Sequence, residues 1–175
     1  MTISADNGTA PAAVVDLLTS LLESTVNSIF RFMGEGSPYL GRATAEVRRP
    51  LQEMVVANYR RASELAAMLE SIGAPTTVHA SPRNDEQYLA FLSLKFLLPK
   101  LVEEKKLCLQ RYENALRAVG AMPQGPPDVA ALLMAHRDEQ KAELAALERA
   151  AADVAAKTAA AKAASANAAT TQPPK

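Results

Sequence analysis

The chain has 175 residues, enough for one domain with a real core; 49% of them are hydrophobic and only 5% aromatic. Nineteen basic residues balance nineteen acidic ones, so no overall field draws the chain to nucleic acid or to an anionic membrane surface. The single cysteine, Cys108, excludes an intramolecular disulfide, and the prevalence of Ala and Leu over β-branched residues is the composition of a helical bundle.

Residues 1–11 are polar and are expected to form a flexible N-terminus without the basic start and apolar stretch of a secretory signal. No apolar run approaches the roughly 20 residues that a membrane-spanning helix needs. The longest candidate, Tyr88 to Leu98, is interrupted by Lys95 and followed by Pro99. A cytoplasmic protein without a membrane segment is expected.

Four helices follow from the apolar spacing, with the bundle placed at 12–150. The first runs from about Ala12 to Met33, with Val14, Leu18, Leu21, Ile29 and Phe32 on one face. Gly34, Gly36 and Ser37-Pro38 end it. The second runs from about Ala45 to Ile72, with Leu51, Met54, Leu65, Met68 and Ile72 facing inward. Thr44 is a plausible N-cap, Pro50 either kinks the first turns or marks the start, and Gly73 suits the position just past the end. The third begins near Asp85, where Asn84 and Gln87 have capping-box spacing. It carries Leu94, Leu98, Leu101, Cys108, Tyr112 and Ala115 inward, with a kink expected at Pro99. The fourth opens after Pro126-Pro127 and buries Val129, Leu132, Leu133, Leu144 and Leu147. Residues 151–175 form an Ala/Lys-rich helical extension that ends in a tail, Ala164 to Lys175, expected to be disordered.

The short link around Met122 to Gly125 makes the third and fourth helices antiparallel neighbours. The link from Ala74 to Asn84 is longer. About 11 extended residues reach roughly 36–40 Å, the length of a helix of about 25 residues. This link can cross the whole bundle, leaving the second and third helices parallel.

Polar residues interrupt each apolar stripe near its middle: Thr25 in the first, Asn58 and Arg61 in the second, Lys105 in the third, Asp138 and Lys141 in the fourth. With the segments Ser28-Ile29-Phe30-Arg31-Phe32, Ala62-Ser63-Glu64-Leu65, Ile72-Gly73 and Leu109-Gln110-Arg111-Tyr112, this arrangement resembles the ferritin-like superfamily over about Leu17 to Leu147. The stretches from Phe32 to Leu40 and from Phe91 to Pro99 look like those of bacterial ferritin-like proteins with no settled function. In that superfamily two helices each supply one Glu and two supply Glu-x-x-His, all aimed at two metals. The resemblance implies an all-α, ferritin-like four-helix bundle with a crossover between helices 2 and 3. It sets the former ligand positions on Thr25, Asn58, Arg61, Lys105, Asp138 and Lys141, of which only Asp138 is a competent ligand. Ammonium and guanidinium groups would then stand in for the metal charge, with Glu64 or Glu104 leaning in to balance them or the long side chains reaching out to solvent.

The favoured reading is therefore a bundle that has lost its dinuclear centre, needs no cofactor, is not expected to be an enzyme and acts as a structural or protein-interaction module. Leu22, Leu89, Leu97 and Val102, off the inward faces, could support a homodimer. The rival is an iron- or manganese-binding oxidoreductase or iron-handling protein with displaced ligands, Glu23, Glu64, Glu104, His136 and Glu139. Against it, Glu23 shares the polar side of its helix with Ser20 and Asn27, and His136 beside Arg137 reads as a surface or interface residue. A third class, a coat protein holding nucleic acid or a polymer through the Ala/Lys tail, has only Lys157, Lys162 and Lys175 to recommend it. Cys108 on an inward stripe reads as an inert filler.

Overall fold

A computed structural model describes residues 11–35, 45–78, 93–123 and 126–170. Its elements are α1 (Ala12–Val26), α2 (Ile29–Glu35), α3 (Ala45–Ser71), α4 (Leu94–Gly120) and α5 (Pro127–Thr170), with no strand among the described residues. Successive helices α1 and α2 both pack on α3 and make one leg of a four-legged, all-α bundle. Around it α1 also touches α4, α3 touches α5, and α4 packs along α5.

The first leg was expected to be continuous, but it breaks at Asn27–Ser28. Two side chains account for the break. The Thr25 hydroxyl donates back to the Leu21 carbonyl at 2.8 Å, a bond that bends helices. Across the bundle the Asn58 amide donates to the Thr25 carbonyl at 3.1 Å and takes over an oxygen at the end of α1. The Ser28 hydroxyl donates to Asn58 Oδ1 at 3.3 Å and fixes the start of α2.

Helix α3 starts at Ala45 and runs through Pro50, and α4 runs through Pro99; each proline is only the sixth residue of its helix. The start of α4 at Leu94, behind Ser93, lies later than the expected Asp85, and 79–92, with Asn84 and Gln87, lie outside the described residues. Thr44 lies outside them too. Pro127 opens α5, where its missing N–H has no intrahelical partner to lose. Gly73 ends α3 with φ 73°. Its N–H donates to the Glu70 carbonyl and the Ala74 N–H to the Leu69 carbonyl, a Schellman pair.

Apolar residues gather into two clusters. One contains Val14, Leu18, Leu65, Leu69, Ala115 and Leu133; the other contains Phe30, Met33, Leu51, Leu98, Leu101 and Leu147. Leu22, Leu97 and Val102 belong to these clusters, with 3%, 1% and 8% exposure, so they do not form the dimer surface expected of them. Their faces were misjudged because the legs bury a wider stripe than a single row; Leu89 lies outside the described residues.

The stretch Ala12–Arg31 is long and apolar enough by composition to cross a membrane, contrary to the expectation that no run would be. Its Val14, Leu18 and Leu21 are packed inside the bundle. Helix α5 is 44 residues long and continues to Thr170, past the expected loss of structure at Ala164. Residues 1–10 and 171–175, where a flexible start and the end of a disordered tail were expected, lie outside the described residues.

A Cβ added at Gly73 would meet nothing within 4 Å, so only its positive φ resists a side chain. Gly73→Ala is expected to lower the unfolding free energy by about 1 kcal/mol, read from urea denaturation.

Candidate functional site

Between the two apolar clusters lies a layer of buried polar groups. Thr25, Ser28, Asn58, Arg61, Lys105, His136 and Gln140 are all at most 6% exposed. On three of the four legs their sequence signal is simple, since one or two polar residues replace apolar ones in an otherwise regular stripe.

Glu143 on α5 organises the charged half. Its carboxylate receives both terminal nitrogens of Arg61, at 2.9 and 3.0 Å. It also receives Lys105 Nζ at 2.5 Å. Arg61 donates in addition to Glu139 at 3.1 Å. Lys105 donates to Gln140 Oε1 at 2.7 Å, which orients that amide because an ammonium can only donate. The ring of Phe30 closes the remaining side, with its centroid 4.1 Å from Lys105 Nζ. At the rim, Arg60 donates to both oxygens of Glu64 and to Glu139. Three cations, Arg60, Arg61 and Lys105, thus face three carboxylates, Glu64, Glu139 and Glu143. Among the described residues, Arg61 Nε and Gln140 Nε2 find no acceptor.

Beside this cluster runs a hydrogen-bonded chain. His136 Nε2 lies 2.7 Å from Glu64 Oε2, and its Nδ1 lies 3.2 Å from the Tyr112 hydroxyl. The two rings meet edge to face with centroids 5.6 Å apart.

Burial and pairing pull against each other across the layer. For Arg61, burial works against the charge, yet the bonds from Glu143 and Glu139 win and raise its pKa. For Lys105, burial prevails over Glu143 and, with the nearby Arg61 charge, draws the ammonium down. His136 is held below its ordinary value by burial, against the pull of Glu64. Glu64 is pushed up by burial, but hydrogen bonds from His136 and Arg60 outweigh this and hold it low. Burial pushes the Cys108 thiol and the Tyr112 phenol up, which makes Cys108 a poor nucleophile.

Of the six positions expected to meet at mid-bundle, Thr25, Asn58, Arg61 and Lys105 do. Asp138 and Lys141 do not: both are exposed, and Asp138 pairs with its neighbour Arg137. Gln140 and Glu143 take their places, two residues further along α5. The inward row of α5 is Val129, Leu133, His136, Gln140, Glu143 and Leu147, alternating steps of four and three. Counting back from Leu147 in such steps would have found it; the many alanines of α5 hid it by making every face equally apolar.

His136, expected at the surface or an interface, is 1% exposed inside the bundle. Arg61 and Lys105 are balanced by Glu139 and Glu143, not by the expected Glu64 or Glu104: Glu64 meets Arg60 and His136, Glu104 is half-buried, and Glu23 is exposed. Of the rival ligands only Glu64 and His136 touch directly. Among the described residues no three His, Cys, Asp or Glu gather as a group that could hold a metal ion. Compared with known protein families, characterised proteins and solved structures, the chain finds no match.

Removing the shared carboxylate leaves Lys105 buried without an anion and Arg61 with Glu139 alone, so Glu143→Gln is expected to cost about 3–5 kcal/mol in urea denaturation. Lys105→Met should cost clearly less, because Glu143 keeps Arg61 and the new side chain packs on Phe30. A pH series of melting temperatures tests the pKa directions. His136 and Glu64 both bind protons less readily folded than unfolded, so the unfolded state takes up more protons as the pH falls. Stability should be full above about pH 6.5 and decline below it as His136 charges, then again below about pH 4.5 as Glu64 protonates.

Proposed function

We propose that this protein is a ferritin-like bundle without a dinuclear metal centre, in which an ion-pair cluster occupies the middle and the molecule acts as a structural or interaction module. The observation that carries the reading is the double claim on Glu143: both its oxygens are held by Arg61 and one also by Lys105. Fixed cations stand within bonding distance of the carboxylate, and a divalent ion would meet their repulsion before it met the ligand.

Helix geometry supports the ferritin-like part. Arg61 meets Glu143 while Glu64 meets His136, so α3 and α5 run antiparallel. Lys105 meets Glu143 while Tyr112 meets His136, so α4 and α5 do too. Both relations together put α3 and α4 in the same direction, the arrangement that a crossover between them requires. The pattern of positions agrees in part. Lys105 comes from α4, and pairs three apart come from α3 and α5, Asn58 with Arg61 and Gln140 with Glu143; the first leg departs from the pattern by bringing Ser28 beside Thr25, and α5 by adding His136. A cytoplasmic location and a homodimer belong to the same proposal; the latter would have to use a surface other than Leu22, Leu97 and Val102.

An iron or manganese oxidoreductase is the competing reading, and its support is confined to the contact between Glu64 and His136. Elemental analysis of protein purified without chelator separates the two, alongside thermal melts with EDTA and with added Fe(II). The proposal expects well under one metal per chain and the same melting temperature in all three conditions. About two irons per chain, or a clear rise in melting temperature with Fe(II), would overturn it.

A further inference from the structure

The donor and acceptor roles along the chain from Glu64 to Tyr112 follow from the charge of Glu64. Glu64 is held ionised and can only accept, so His136 Nε2 carries the hydrogen toward it. The neutral ring then offers only a lone pair at Nδ1, and the Tyr112 hydroxyl donates to it. Thr25 also lies against the Tyr112 phenol. The Thr25 hydroxyl has already given its proton to the Leu21 carbonyl, so it has lone pairs left to offer. Tyr112 therefore gives its one proton to His136, with the Thr25 hydroxyl close beside it.

We propose that Glu64, His136, Tyr112 and Thr25 form a one-proton switch that loosens the seam between α3 and α5 in weak acid. One proton from solvent adds to His136 Nδ1, which becomes a donor; the Tyr112 oxygen accepts from it, and the Tyr112 proton turns to Thr25. No covalent bond other than the new N–H forms or breaks. The layer then holds four cations against three carboxylates, and the added charge sits on a side chain 1% exposed. From α3 the groups facing it are Glu64, Arg60 and Arg61, and from α5 Glu139; α4 brings Tyr112 with Cys108 beside it, and α1 only the uncharged Thr25. Glu64 cannot give itself wholly to the imidazolium because Arg60 holds both its oxygens. Arg61 repels it, so the unbalanced charge is relieved by parting α3 from α5 around these residues.

The test is NMR on the 15N-histidine-labelled full chain, with hydrogen exchange read at the amides of 60–65 and 132–140. At about pH 7.5 the His136 ring should be the Nε2–H tautomer, with a midpoint below the ordinary value of about 6.5. Between about pH 7.5 and 5.5, exchange at those amides, corrected for its intrinsic pH dependence, should accelerate about tenfold or more. His136→Gln should abolish that acceleration. Tyr112→Phe, which removes the acceptor of the imidazolium, should move the midpoint lower still and serves if the first variant fails to fold. An Nδ1–H tautomer at neutral pH, an equal acceleration in His136→Gln, or an unchanged midpoint in Tyr112→Phe would each overturn the switch.

Discussion

One carboxylate, that of Glu143, stands between the guanidinium of Arg61 and the ammonium of Lys105, and the middle of the bundle closes around it. Each of those cations is at most 1% exposed. Neither could be withdrawn from water at that depth without an anion bonded to it. The three groups come from α3, α4 and α5, so the ion pairs set the axial register of three legs at once. Sliding any of them by a residue would leave a buried charge without a partner. Leu and Ala packing above and below is far more forgiving of such a slip. The apolar clusters supply the bulk of the driving force, and the charged layer between them selects one alignment.

The first leg joins the layer by neutral hydrogen bonds and by the ring of Phe30 against Lys105. Thr25 and Ser28 meet Asn58 through a carbonyl and a hydroxyl, and the helix breaks where those bonds are made. The layer is thus split into a charged side shared by α3, α4 and α5 and an uncharged side shared by α1, α2 and α3. Tyr112 joins the two sides, since it reaches His136 on α5 and lies against Thr25 on α1. The layer balances its charge internally, three cations answering three carboxylates beside a His136 held neutral by burial, while Arg61 Nε and Gln140 Nε2 are left without acceptors among the described residues.

Much of this was legible residue by residue. Thr25, Asn58, Arg61 and Lys105 stood out because each interrupts a row of aliphatic, aromatic or other apolar residues. Gly73 and Pro127 marked helix ends through backbone properties that no packing alters. Asp138 and Lys141 misled because α5 is so rich in alanine that an apolar stripe barely shows between Leu133 and Leu144. The true partners Gln140 and Glu143 look, in sequence, like ordinary solvated residues of a charged helix. Their burial depends on what lies opposite. His136 was misread for the same reason: a histidine beside an arginine looks exposed until Tyr112 and Glu64 are seen on either side of it.

The sequence by itself therefore determined the helices, most of their inward faces and the presence of polar groups at mid-bundle, because periodicity, proline and glycine act within a few residues along one chain segment. Only the tertiary structure decided which carboxylates meet Arg61 and Lys105, that the first leg breaks at Asn27–Ser28, and that His136 joins Glu64 to Tyr112. Those outcomes rest on contacts between residues 24 to 82 positions apart. A charge chooses its partner there by distance and solvent exclusion, and neither is written in the local spacing of residues.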